Sequence, residues 1–300
     1  MSVDSSSGGN KDSLDIILGS GLDDPKSDLC YSMDRLLNNN LLEGFSDKEI
    51  AKIGFSYNKT HKHFYNGIFR RNGYPYIAHI FEMHQTALQD GFRDTLVSQI
   101  ITSHDSVEEY IRKNKKFLES AIEQETHRLE SGELDDEQRR SLEKTIEYLN
   151  RDKNDPVNIQ RWNDEAYELL EKECGFDERE IGIISSFSPA LSNPDESKVE
   201  HLNRIISYSE EIEDVRPIVV KVYDLWHNSN DAHNMKVKSV EASMQRAQIL
   251  SDYITSNKDK FSRDNIGFIR EDVEVSDILL HRLQEVIGNS KKVLESKPKD

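Results

Sequence analysis

The chain has 300 residues, 32% of them charged and 35% hydrophobic, with a formal net charge of −17. That length allows one sizeable core with appendages, and the charge argues against a nucleic-acid backbone or an anionic membrane as partner. Cys30 and Cys174 lack CxxC spacing, which excludes a disulfide framework and a thiolate metal site, and the absence of a basic start or an apolar run of about 18 residues points to the cytoplasm.

Taken in chain order, residues 1–12 are rich in Ser, Gly and Asn and read as a disordered leader, and 13–45 as one or two weak helices on the body. Ser46-Asp47-Lys48-Glu49 is a capping-box pattern that opens a helix through Ile50, Ile53 and Phe55 toward His63. Asn72-Gly73-Tyr74-Pro75 is a turn by composition. Tyr76 to Leu88 repeats apolar residues at helical spacing up to Gly91, and Asp94 to His104 forms the next helix. Val107, Ile111, Leu118, Ile122 and Leu129 make a stripe that stops at Ser131-Gly132, and a return helix capped by Asp135 or Asp136 carries Leu142, Ile146 and Leu149. This pattern predicts an αα-hairpin with a solvated charged face. Another helix and the apolar segment 181–184 fill residues 156–187, and Pro189 and Pro194 mark a loop. Helices follow at about 196–210, 215–228, 235–256 and 275–294. With few strand signals, the expected class is an all-α helical bundle.

His104 and Asp105 close the apolar run that begins at Leu96; His79 lies upstream and Asp224 downstream. Two imidazoles and two carboxylates suit a borderline or hard divalent ion such as Mn²⁺, with zinc or iron also open. Four protein ligands on an octahedral ion leave room for a water and a phosphate oxygen. Lys221 and Asn228 stand three residues before and four after Asp224, on the same helical face; His227 is expected to point elsewhere. Arg70 and Arg71 are adjacent cations in an acidic chain, able to stack on a purine or fork onto phosphate.

Residues 66–79 read Asn-Gly-Ile-Phe-Arg-Arg-Asn-Gly-Tyr-Pro-Tyr-Ile-Ala-His, which resembles the G-x-x-R-K-x-G-x-P-Y-x-x-H segment of alarmone hydrolases of the RelA/SpoT type. His104-Asp105-Ser106-Val107-Glu108-Glu109 resembles that family's H-D-x-x-E-D, and Lys221 to Asn228 its K-L-A-D-R-L-H-N helix. The three matches keep the family's order and cover discontinuous parts of 50–250; neither the leader, the hairpin nor the last fifty residues has a counterpart. The resemblance implies an HD-domain bundle over 46–256 with a hairpin inserted at about 110–175, preceded by the leader 1–45 and followed by a helix and charged tail, 257–300. It assigns His79, His104, Asp105 and Asp224 to a metal, usually manganese, and Glu108 and Glu109 to the handling of water and proton. Arg70 and Arg71 fall to the guanine base and adjoining phosphate of the substrate, with Lys221 and Asn228 beside the metal. The alternative for the glutamates is a pair of helix-end carboxylates favoured by the dipole. The chain departs from the pattern at Ile80, Glu109, Tyr110, Tyr223 and Leu225, none of them a ligand.

The expected activity is removal of the 3′-pyrophosphate of guanosine tetra- or pentaphosphate, by a hydrolase-only member without the family's synthetase half. The alternatives are an HD phosphohydrolase for another nucleotide, and a nucleotide-sensing or partner-binding module. The hairpin offers a surface for a protein partner or self-association.

Overall fold

Helix ends in this chain are set by side chains that satisfy the orphaned backbone groups of the first turn. In the computed structural model, which describes residues 31, 33–70, 72–131, 134–188 and 196–297, Ser46 and Glu49 cap each other reciprocally at the start of Asp47–Thr60. Asp94 accepts from the backbone N–H of Val97, 2.9 Å away, and so opens Thr95–Ser103. Asp135, Asp177 and Ser197 do the same for three later helices. Numbered in chain order, the helices are α1 (Met33–Asn38), α2 (Asp47–Thr60), α3 (Tyr76–Asp90), α4 (Thr95–Ser103), α5 (Ser106–Glu130) and α6 (Asp136–Asn154). They continue with α7 (Pro156–Lys172), α8 (Glu178–Phe187), α9 (Lys198–Glu211), α10 (Arg216–Asn230), α11 (Val237–Ser256) and α12 (Val275–Ser296). The fold is all-α: among the described residues the only β contacts are two isolated bridges, Phe69 with Pro75 and Phe92 with Phe268. No helix among them is long and apolar enough to cross a membrane. The expected leader 1–12, most of the weakly helical stretch after it, Arg71 and the Pro189–Pro194 loop lie outside the described residues.

The helix opened by Ser46 does not run regularly to His63. It ends at Thr60, and His61–Tyr65 form one wider π turn. The wider turn takes in an extra residue per revolution. Here the turn has Phe64 and Tyr65 almost fully buried. Tyr65 stacks on Tyr76 at 5.4 Å between ring centroids and hydrogen-bonds Ser106 at 3.1 Å. Gly91 ends α3 in the left-handed region, with φ 110°, where a side chain would be strained.

α5 and α6 pack on one another as the apolar stripe predicts. Lys153 pairs with Glu119 at 3.4 Å, so α6 runs back antiparallel along α5. A kink at Asp155-Pro156 then turns the chain into α7, whose Glu165 accepts a hydrogen bond from Tyr110 at 3.2 Å. Two helices thus lie end to end against one long one. Leu142 is buried, while Ile111, Leu118, Ile122, Leu129, Ile146 and Leu149 are half-buried, because a paired helix covers only a narrow stripe of its neighbour.

α10 is the axis of the bundle, in contact with α3, α4, α9, α11 and α12. Ile218, Val219, Val220, Val222, Tyr223 and Leu225 are all 0% exposed, which explains why this segment is apolar on every face but that of Lys221 and Asp224. Burying such side chains contributes roughly 1.5–3 kcal/mol each. α12 packs against α11 and α10 and adds Val275, Leu279, Leu283 and Val286 to the same core. Between α3, α10 and α12 lies a buried polar knot. Asp90 accepts from Tyr223 at 2.7 Å and from Arg282 at 2.6 and 2.8 Å. Arg282 also lies over the Trp226 ring, 4.9 Å from its centroid.

Candidate metal centre

Three helix segments deliver four side chains to one point. His79 is in the first turn of α3, His104 and Asp105 form the joint between α4 and α5, and Asp224 projects from the middle of α10. His79 Nε2 stands 3.7 Å from Asp105 Oδ2 and 3.7 Å from Asp224 Oδ1. His104 Nε2 is 3.1 and 3.9 Å from the same two oxygens. His79, His104 and Asp105 present ligand atoms that all lie within 4.8 Å of one another. Both imidazoles are nearly inaccessible, His79 at 1% and His104 at 2% exposed.

Hydrogen bonds on the far sides of the rings decide which nitrogens face this point. His104 Nδ1 lies 3.0 Å from the Ile101 carbonyl, which can only accept, so Nδ1 carries a proton. Nε2 is left aimed at the carboxylates; it is buried and, although close to Asp105, is not aligned in any hydrogen bond. His79 Nδ1 meets His227 Nδ1 at 2.8 Å, and His227 Nε2 meets Glu82 at 2.7 Å. Asp105 accepts from the Tyr76 hydroxyl at 2.5 Å. Asp224 accepts from Lys221 at 2.7 Å through Oδ2 and from Asn228 at 2.5 Å through Oδ1.

The electrostatics follow from burying two carboxylates beside two imidazoles. Burial, then the neighbouring His227 and Arg70, hold His79 well below the usual histidine range. Burial also acts to lower His104, but Asp105 and then Asp224 outweigh it and bring it up to about 9. Both carboxyls stay well below the usual range against the opposing effect of burial: His104 does this for Asp105, and Lys221 followed by His104 for Asp224. Within the cluster the two carboxylate charges face His104 and Lys221. Two imidazole nitrogens and two carboxylate oxygens, one nitrogen an unpartnered buried atom, fit a divalent ion. His79, His104 and Asp105 can therefore hold one, and Asp224 Oδ1 stands 3.7 and 3.9 Å from the two imidazoles.

The two glutamates expected to act together are set apart. Glu108 keeps solvent access at the edge of the centre, and desolvation of its carboxyl, then the charge of Asp105, raises its pKa. Glu109 is buried and paired with Arg112, which lies over Tyr76. Burial brings Glu109 up to about 7, with Arg112 opposing. Arg70 is engaged within the protein: its guanidinium lies 3.1 Å from His227 Nδ1 and 2.9 Å from Asn228 Oδ1. Lys221 and Asn228 both touch Asp224, as their spacing predicts. Arg71, expected beside Arg70 at the substrate, lies outside the described residues.

His227 does not point elsewhere. It is buried against His79, one turn from Asp224, and the three-residue spacing that also places Lys221 near Asp224 could have found it. Glu82, three residues after His79, carried the same signal. Two further cations could not be read from local spacing. Lys198 at the start of α9 has its pKa lowered by burial and then by Arg246 and Lys221, while Asp224 and Glu108 pull it upward. Arg246 on α11 is lowered by burial, against the attraction of Asp224. Among the described residues neither forms an ion pair. In a chain of charge −17 they make a local positive rim beside Lys221.

No protein-family model matches the chain, and no curated protein or solved structure is similar to it.

Proposed function

We propose that the chain is a metal-dependent phosphohydrolase whose substrate is a guanosine 3′-pyrophosphate, returning GDP or GTP. The observation that carries the reading is the turning of two buried imidazole Nε2 atoms onto the carboxylates of Asp105 and Asp224, with Asp105 partly open to solvent. The substrate rests on the motif resemblance; the metal class rests on the donor set. A divalent ion held by His79, His104, Asp105 and Asp224 would be manganese by resemblance, and would supply water activation and Lewis-acid polarisation of phosphate. Glu108, with its raised pKa and open position, exchanges a proton at its carboxyl oxygen with the attacking water or the leaving oxygen. Glu109 is locked to Arg112, whose guanidinium lies over Tyr76, and is turned away from substrate. Lys221, Lys198 and Arg246 offset phosphate charge that an acidic protein otherwise repels.

A second reading keeps the centre and changes the substrate to another phosphorylated nucleotide. It is favoured by Arg70, whose guanidinium is engaged by His227 and Asn228 instead of open to a guanine base. Phosphate or pyrophosphate release from ppGpp, NADPH and deoxynucleoside monophosphates, each with and without Mn²⁺, separates the two. Asp105→Ala should lose both metal and turnover while its helical circular dichroism persists. Metal content equal to wild type in that variant would remove the site from consideration.

A further inference from the structure

Arg70 lies on the turn before α3 and joins two of the metal-facing side chains through one intermediate each. Its Nη2 donates to Asn228 Oδ1 at 2.9 Å, which leaves the amide nitrogen of Asn228 facing Asp224 Oδ1 at 2.5 Å. Its Nη1 lies 3.1 Å from His227 Nδ1. A guanidinium only donates, so His227 Nδ1 must be the acceptor and its proton sits on Nε2, which donates to Glu82 at 2.7 Å. His79 Nδ1, 2.8 Å from that same acceptor, must then be the donor. His79 Nε2 is consequently free of hydrogen and directed at Asp105 and Asp224. If His227 carried protons on both nitrogens, its Nδ1–H would face the Arg70 guanidinium, which can only donate.

We infer that Arg70 is a positioning residue: by fixing the tautomer of His227 and the amide orientation of Asn228, it sets the ligand-ready lone pair of His79 and the placement of Asp224. Glu82 and His227 complete this relay. The inference rests on the metal-centre reading, but it assigns to Arg70 a role distinct from contact with substrate. The turn that carries Arg70 is closed by its own backbone, with Arg70 N to Tyr74 O at 2.8 Å and Gly73 N to Arg70 O at 3.0 Å. Gly73 takes φ 83° there, and the Arg70 side chain is 15% exposed. Removing the guanidinium therefore takes no apolar group from the core.

The test is Mn²⁺ affinity, measured on metal-free full-length protein by titration with MnCl₂ while the free ion is followed by electron paramagnetic resonance. Circular dichroism of each variant checks that it is folded. Arg70→Ala and His227→Ala should each weaken binding by about 10–100-fold, the scale for loss of a partner behind a ligand. His227→Asn can return an acceptor oxygen near the place of Nδ1 and should recover most of that loss. Wild-type affinity in Arg70→Ala, or a His227→Asn variant as weak as His227→Ala, overturns the relay while leaving the metal centre standing. A wild-type protein that binds neither Mn²⁺ nor Zn²⁺ overturns both.

Discussion

Arg282→Ala removes both guanidinium contacts from the Asp90 carboxylate and leaves it only the Tyr223 hydroxyl. The pair is largely buried, with side chains 17% and 10% exposed. Breaking a buried pair costs about 3–5 kcal/mol because a charge is left without its partner. Partial solvent access at Arg282 puts this case at the lower end, about 3 kcal/mol. At roughly 2–4 °C per kcal/mol for a domain of this size, Tm should fall by about 6–12 °C. Thermal melts followed by circular dichroism read this directly. Replacing both partners with apolar residues of similar size, Asp90→Leu with Arg282→Met, should recover much of the loss. A single variant melting within about 2 °C of wild type, a shift smaller than 1 kcal/mol produces, would show that α12 is held by its apolar face alone.

Glu108→Gln should keep the metal and lose at least about 10²-fold in turnover, as expected for a positioned proton carrier; unchanged rates would make the carboxylate a helix-end residue only. Lys198→Ala combined with Arg246→Ala should raise KM for a polyphosphate substrate more than it lowers kcat, since these contacts form before attack, and steady-state kinetics at fixed ionic strength would expose the opposite split. His84 is fully buried with both ring nitrogens unpartnered, and burial brings it down to about 3. Its folded pKa lies below the unfolded value of 6.5, so stability is lost as the pH falls below 6.5 and the unfolded chain alone takes up the proton. Between pH 6.5 and 4.5 this amounts to about 2 kcal/mol. Urea midpoints of wild type and His84→Met at the two pH values should differ by that amount, and equal acid sensitivity in both would refute it.

The helices were legible because their signals are local. Ser46 caps the helix it was expected to open, Asp135 rather than Asp136 caps the return helix, and Gly91 ends α3. The π turn at His61–Tyr65 was not, since its cause is the stacking of Tyr65 on Tyr76 and its bond to Ser106, both remote in sequence. The end-to-end arrangement of α6 and α7 along α5 was equally hidden, although Pro156 marked the kink. His79, His104, Asp105 and Asp224 were expected as a set; the structure groups the first three, with Asp224 3.7 and 3.9 Å from the two imidazoles. Lys198 and Arg246 sit on other helices, and no spacing rule links them to Asp224. Tyr223 and Leu225, two departures from the resembled motif, now have a packing account. Leu225 fills the core, and Tyr223 ends on Asp90 in the knot with Arg282.

Asp105 is the residue from which α5 springs, and Glu108 and Glu109 lie in its first turn. α5 has 25 residues, so at 1.5 Å per residue it reaches about 37 Å, whereas Glu108 stands only about 4.5 Å along it. The far tip at Glu130 and the turn that carries Glu108 and Glu109 thus belong to one continuous helix, braced along its length by α6 and α7.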